Sequence, residues 1–368
     1  MPVRTGEILF VKCVKCGIPN RDPLRDSDAR RLFGEDDGRI SLSDVSIKRD
    51  VRDYVVARFP EDGPNGPDKT RFVFVQKKYS LDGRTLLGRD GLAQAILEKV
   101  REGRPAPAHE VPAEEPPARG RRARRAAAAG PEADDKGDLF GAAFDMRVFG
   151  AVFSVEGKSF NQTGPVQFSW AHSLHPVETK YTQGTVCMPS KDAPAPTEET
   201  EPREGAAGDE ERKGKTQGTI WTQYQLPFAV FAMPAVVNAT IAAQTKMTDA
   251  DMDLVLAGLW KGTIQRQARG RGIQQPLLLL HIEYSDPFFR IGFLEEGLKL
   301  APGRDERERW LGGNSPTGLA EVALNVEGVA ERMGQQRGKI ARARVWVDPQ
   351  LRLVGSLPAE TGIWPEGV

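Results

Sequence analysis

Apolar residues along the chain follow two periods. In "RISLSDVSIKRDVRDY", residues 39–54, Ile47, Val51 and Tyr54, followed by Val55, recur at i, i+4, i+7 and i+8, which lines one face of a helix. Ser43 or Asp44 stands just ahead of the stripe and is a residue type that accepts the orphan N–H groups of a first turn, so the helix is predicted to start there. A second helix is predicted over Thr248–Thr263, opened by a Thr248/Asp251 capping box and carrying Met252, Val255, Leu256 and Leu259 on one face. Residues 90–101, "DGLAQAILEKVR", read as a third. Elsewhere the apolar runs are β-branched or aromatic and bounded by Gly and Pro. This predicts strands at 7–14, 71–79, 144–155, 164–174, 219–233 and 275–285. In "KIARARVWVD" Ala341, Ala343, Val345 and Val347 alternate with Arg342, Arg344 and Trp346, again a strand. Strands and helices follow one another without a Gly-rich phosphate loop or an internal repeat, so the fold class expected is an α+β sheet with helices on one face.

Two stretches break the pattern. Residues 101–137 are rich in Pro, Ala, Glu and Arg, and 189–217 are similar but more acidic. Neither has enough apolar surface to offset its ordering entropy, so both are expected to be flexible insertions. Lys plus Arg and Asp plus Glu each number 51 in 368 residues, so any basic surface has to be local. No run of 18 apolar residues occurs and "MPVRTGEILFVKC" lacks a secretory apolar core, which leads us to expect a cytoplasmic protein with no membrane partner. Cys13 and Cys16 form a lone C-x-x-C, short of the four ligands that zinc takes. Free thiols, no metal and no cofactor are expected.

Catalytic patterns are sparse. His109 lies in an insertion and His281 in an apolar strand. His172 and His175 stand three apart near a strand end, where such residues face opposite ways. The nucleophile-elbow, P-loop, dinucleotide and zincin motifs are absent. The loop "IPNRDPLRDSDAR" carries Asp22, Asp26 and Asp28, either plain turn residues or carboxylates for RNA cleavage. Cations are better organised. Asn20 and Arg21 open that loop, Lys48, Arg49 and Arg52 decorate the first helix, and "QRQARGRG" sets Arg266, Arg269 and Arg271 in a Gly-containing loop. Arginine forks pair with phosphates, and Phe168 or Trp170 can stack on bases, so the combination suggests single-stranded RNA. The Arg119–Arg125 patch sits in an insertion, where a charge run is more often simply solvated.

These residues also carry a resemblance. "NRDP…GRISLSDVSIKRDVRDY", then "DMRVFGAVF" (145–153), "TGPVQFSWAHSLHPVE" (163–178), "YQLPFAVFAMPAVVNA" (224–239) and "MTDADMDLVLAGLWKGTIQRQARG" (247–270) resemble, in this order, the RAMP-superfamily backbone subunit of type I CRISPR surveillance complexes (Cascade). Subtype I-B fits best, with I-C next. The resemblance implies an RRM-like (ferredoxin-like) palm with an inserted finger region and a thumb β-hairpin. On this chain it divides 1–60 as first palm strand and basic helix, 61–143 as finger region, 144–177 as palm strands, 178–222 as thumb with the acidic insertion at its tip, and 223–368 as palm and C-terminal region. It further implies copies stacking along a CRISPR RNA and presenting the guide to a target DNA strand. The other partners would be a large subunit, a guide 5′-end capping subunit and a guide-processing endoribonuclease. By matched blocks, Lys48, Arg49 and Arg52 would grip phosphates with Asn20 and Arg21 beside them, and Gln167 and His172 would line the RNA side. One departure is "IPNRDP", with Arg21 where the family commonly has Gly. Two alternatives remain open: a type III-like subunit cutting target RNA with Asp22, or with Asp26 or Asp28, and an RRM-like interaction protein without RNA.

Overall fold

The computed structural model describes residues 2–25, 27–61, 69–80, 83–102, 135–155, 158–185, 220–268, 270–301, 315–366 and 368. Along the chain come β1 (Gly6–Lys15), β2 (Ser41–Leu42), α1 (Asp44–Arg58), α2 (Arg89–Arg101), α3 (Asp135–Ala142) and α4 (Phe144–Phe149). Next are β3 (Gly150–Val155), β4 (Lys158–Thr163), β5 (Val166–Phe168), β6 (Ala171–Ser173), β7 (Lys180–Thr185), β8 (Ile220–Gln225) and β9 (Phe228–Val237). Then follow α5 (Ala239–Thr245), α6 (Asp249–Gln265), β10 (Ile273–Tyr284), β11 (Lys299–Ala301) and β12 (Ala323–Asn325). The chain closes with α7 (Glu327–Gln335), β13 (Ile340–Val347), β14 (Leu353–Val354) and β15 (Glu360–Thr361).

β1 is buried from Gly6 to Val14 and apolar on both faces except for Glu7 and Lys12, which suits a central strand. It pairs antiparallel with β9 on one side and β10 on the other, in a sheet ordered β15-β13-β10-β1-β9-β6-β2 with β5 also against β9. Ile8, Phe10 and Val14 point to the face covered by α1 and α6. Leu9, Val11 and Cys13 point to the other, where Leu294, Leu324 and α7's Val329 and Met333 close a second core. The fold is therefore mixed α and β as expected, but helices lie on both faces of the sheet. A third, smaller core joins Phe72, Phe74, α2, α3 and Met146. β3–β4 and β7–β8 form separate two-stranded sheets.

α1 and α6 approach closely because α6 presents glycine where they cross. A Cβ on Gly258 would lie 2.9 Å from Val51 Cγ1, and one on Gly262 would lie 2.3 Å from the Asp50 carbonyl oxygen. Arg266, next along this i, i+4 row, is thereby brought against α1.

Four expected strands take other forms. Residues 71–79 make only isolated bridges at Phe72 and Tyr79, because the Phe74 and Val75 N–H groups donate to the Asp145 carboxylate (2.7 and 3.0 Å) instead of a ladder. Residues 144–155 split at Gly150, φ 82°, into α4 and β3; all six α4 residues are buried, Asp145 and Arg147 included, and a short run buried on every side has no period to separate helix from strand. The 219–233 run breaks at Leu226–Pro227 into β8 and β9, and 164–174 breaks at Ser169–Trp170 into β5 and β6. The ends of the 101–137 stretch belong to α2 and α3, while 103–134, the acidic stretch 189–217, Asp26, His109 and Arg269 lie outside the described residues.

Candidate nucleic-acid interface

The loop after β1 is tied to the start of α1. Ser43 holds the N-cap position but makes no side-chain cap; its N–H and Oγ–H both donate to Asn20 Oδ1, at 2.9 and 2.8 Å. Asn20 thus fixes the mouth of an open groove of about 790 Å³ between this loop, the first turns of α1 and the segment after α6. Among the described residues six arginines, Arg21, Arg30, Arg49, Arg52, Arg266 and Arg271, line it together with Trp170, and Asp44 is the only carboxylate.

Each arginine is positioned differently. Arg21 Nη2 donates to the Gly270 carbonyl (3.4 Å), and a Cβ on Gly270 would sit 2.3 Å from that same nitrogen, so glycine is what leaves room for it. Arg30 Nε donates to the Arg21 carbonyl, and its guanidinium lies 5.9 Å from the Trp170 ring centre. Arg49 Nε pairs with Asp53 (2.6 Å) on a partly exposed flank. Arg52 Nε donates to Asp145 (2.8 Å), whose side chain is 0 % exposed, so this cation is committed to a buried pair. Lys48 is held by Asp44 (2.9 Å) and lies over the Phe149 ring rather than in the groove lining.

Beneath the groove, Asp50 gathers three cations. Its Oδ1 accepts from Arg266 Nη1 (2.7 Å) and Arg271 Nη2 (3.1 Å), and its Oδ2 accepts from Lys12 Nζ (3.1 Å). Burial pushes the Asp50 carboxyl up, but Lys12, Arg271 and Arg266 outweigh it and hold the group below the usual carboxylate range. Burial lowers Lys12 and Arg271 from their ordinary values. Arg271 Nη1 also donates to the Pro19 carbonyl, and Arg266 Nη1 to the Ser46 carbonyl. Three cations around Asp50 leave a net positive charge of two, and the total is unchanged when Asp53, which pairs with both Arg266 Nε (3.3 Å) and Arg49, is counted together with Arg49.

Of the residues singled out from the sequence, Asn20, Arg21, Arg49, Arg52, Trp170, Arg266 and Arg271 meet here. Gln167 and His172 do not. Gln167 lines a separate pocket of about 300 Å³ with Glu7 and Glu295. His172 Nδ1 is 3.0 Å from Ser41 Oγ with its ring on Phe33, and burial, then Arg39, lowers its pKa. Asp22 and Asp28 serve their own loop: Asp22 Oδ1 accepts from Leu24 N, and Asp28 Oδ1 from Ala29 N. Lys12, Asp50 and Arg30 escaped the sequence reading. Lys12 left a trace, being the one charged residue among Ile8, Phe10 and Val14 on the helix-facing side of β1, a position that needs a counter-charge. Among the described residues no His, Cys, Asp and Glu cluster is placed to hold a metal ion, and no helix is long and apolar enough to cross a membrane.

A groove lined by arginine forks with one aromatic wall, built on an antiparallel sheet, has the chemistry of an RNA- or DNA-backbone-binding protein. The family model for CRISPR-associated protein Cas7 matches residues 4–310, and the chain belongs to that family. It is 23 % identical over 371 aligned residues to CRISPR-associated protein Cas7 of Haloferax volcanii, covering 95 % of this chain and 88 % of the relative. Among solved structures it is similar to a chain of a pre-nicking CRISPR RNA-guided surveillance complex (TM-score 0.48, 14 % identity, 96 % of this chain and 97 % of that one). A second such surveillance complex gives a TM-score of 0.41 at 15 % identity, covering 95 % of each chain. The family agrees with the resemblance carried by the Lys48–Arg49 helix and the blocks that follow it.

Proposed function

We propose that this chain is the guide-holding backbone subunit of a type I surveillance complex, of subtype I-B by its sequence blocks, and that it grips CRISPR RNA phosphates in the arginine-lined groove.

 The observation that carries this reading is the lining itself, six arginines against one carboxylate among the described residues, in a chain whose formal charge is zero. A guide spacer differs from one RNA to the next, so contacts have to be made to the backbone rather than to base edges, and arginine forks supply them. Arg21, Arg49, Arg266 and Arg271 are the phosphate-binding set, with Asn20 fixing the loop and Trp170 offering a stacking face. Lys48 acts from the flank, and Arg52 lines the groove from its buried pair with Asp145.

The palm reading is supported by the succession β1-α1-β5/β6-β9-α6-β10 and by the antiparallel order β10-β1-β9-β5/β6, which is the order of a ferredoxin-like, RRM-like sheet. The separate core around Phe72, Leu92 and Phe140 supports a finger region over 61–143. The isolated β7–β8 hairpin supports a thumb over 178–222, with 1–60, 144–177 and 223–368 forming the palm and C-terminal region. The subunit works in the cytoplasm beside further copies of itself, the large subunit, the capping subunit and the guide-processing endoribonuclease, and offers the guide to a target DNA strand. Asp22 and Asp28 spend their carboxylates on the loop, which favours holding RNA over cutting it.

The test is binding of a labelled CRISPR RNA across a salt series by wild type, Arg21→Ala and Arg49→Ala, with the RNA run on a gel afterwards. The expected result is intact RNA and a log–log salt slope shallower by roughly 0.7 per lost contact per copy. Unchanged slopes in both variants would remove the groove from the account, and RNA cleaved by wild type but not by Asp22→Ala would make the protein a nuclease.

A further inference from the structure

The charge cluster beneath the groove contains two residues that RNA cannot reach. Lys12 and Asp50 are 2 % and 1 % exposed, whereas the Arg266 and Arg271 side chains are 25 % and 13 % exposed and line the groove. Asp50 divides its oxygens, one to both arginines and the other to Lys12. A carboxylate facing two arginines alone would orient them but would also cancel half their charge. Lys12 removes that conflict, because it neutralises Asp50 from the sheet side while the arginines keep their hydrogen bonds. We infer that Asp50 is a positioning residue for Arg266 and Arg271, and that Lys12 is the buried counter-charge that leaves both arginines free to attract a phosphodiester.

Two features of the fold support this. Gly262 lets α6 close on the Asp50 backbone and sets Arg266 one turn further along the same row. Arg271 Nε is buried with no hydrogen-bond partner among the described residues, and its fork is held by Asp50 and the Pro19 carbonyl. The inference rests on the groove being the RNA site.

The experiment compares the full-length protein as wild type, Lys12→Met, Lys12→Met/Asp50→Asn and Lys12→Met/Asp50→Leu, using labelled single-stranded RNA of mixed sequence over a salt series. Lys12→Met lowers the cluster charge from two to one, so its salt slope becomes shallower by roughly 0.7 per copy and its affinity at 0.1 M salt falls about fivefold. Asp50→Asn in that background restores the charge and keeps an acceptor oxygen, so slope and affinity both recover. Asp50→Leu restores the charge without the acceptor, so the slope recovers while affinity stays below wild type at every salt concentration. The two double variants keep the comparison decisive if Lys12→Met alone does not fold. A wild-type slope in Lys12→Met, or equal affinities for the two double variants, overturns the inference while leaving the guide-holding reading intact. Wild type that binds no RNA overturns both.

Discussion

Replacing Arg52 by Met removes the cation from a carboxylate that has no exposure to solvent. Arg52 Nε sits 2.8 Å from Asp145 Oδ2, and the same carboxylate accepts the Phe74 and Val75 N–H groups, so one side chain joins α1 to the 72–75 segment and to α4. Removing one member of a buried pair costs about 3–5 kcal/mol because the other charge is left uncompensated. Asp145 keeps two N–H donors, which places the expected loss at the lower end, about 3 kcal/mol. Arg49→Met, one turn away, breaks a pair whose side chains are 35 % and 28 % exposed, and should cost less than about 1 kcal/mol. Urea denaturation of the two variants measures the difference, and Arg52→Met/Asp145→Asn should recover part of it, since Asn removes the stranded charge and keeps an acceptor. Equal losses for Arg52→Met and Arg49→Met would refute the assignment of Arg52 to a buried structural pair.

Three further outcomes are expected. Gly262→Ala places a Cβ 2.3 Å from a backbone oxygen, and the overpacking, about 1–3 kcal/mol, should exceed the helix-propensity gain of about 1 kcal/mol, whereas Gly334→Ala, with nothing near its Cβ, should gain stability by denaturant titration. Burial, then Arg344 and Arg342, holds His281 down at about 3, and burial holds His175 at about 4. Both pKa values are depressed relative to the unfolded chain, so the unfolded state takes up protons first as pH falls below about 6.5, and stability should drop between pH 7 and pH 5 by roughly 2 kcal/mol per histidine. Replacing either histidine by Gln should flatten that pH profile, and an unchanged profile would contradict the buried neutral state. Burial, then Asp348, pushes the Cys13 thiol up to about 12, so a thiol reagent at pH 8 should label exposed Cys16 and spare Cys13 until the protein unfolds, as peptide mapping would show.

What could be read in the sequence was local. The Thr248/Asp251 box forms with both reciprocal hydrogen bonds, because cap and partner lie three residues apart. The Ile47, Val51, Tyr54 and Val55 stripe is buried as its spacing requires. Long-range partners were not legible. Ser43 reads as a cap, yet gives its hydroxyl to Asn20, 23 residues earlier. Arg52 reads as an outward cation, yet its partner Asp145 lies 93 residues away. Asp50 reads as one more polar residue between Ile47 and Val51, and only the fold shows Lys12, Arg266 and Arg271 converging on it. α4 escaped for a different reason, since six buried residues in a row carry no periodicity.

The most direct test of the account is native mass spectrometry of the protein with CRISPR RNAs of increasing spacer length, for wild type and Arg21→Ala/Arg49→Ala. Wild type should add whole copies in regular steps as the spacer grows, and the double variant should lose occupancy at salt concentrations where wild type stays fully loaded. A fixed single copy at every length, or identical loading of the double variant, would contradict it.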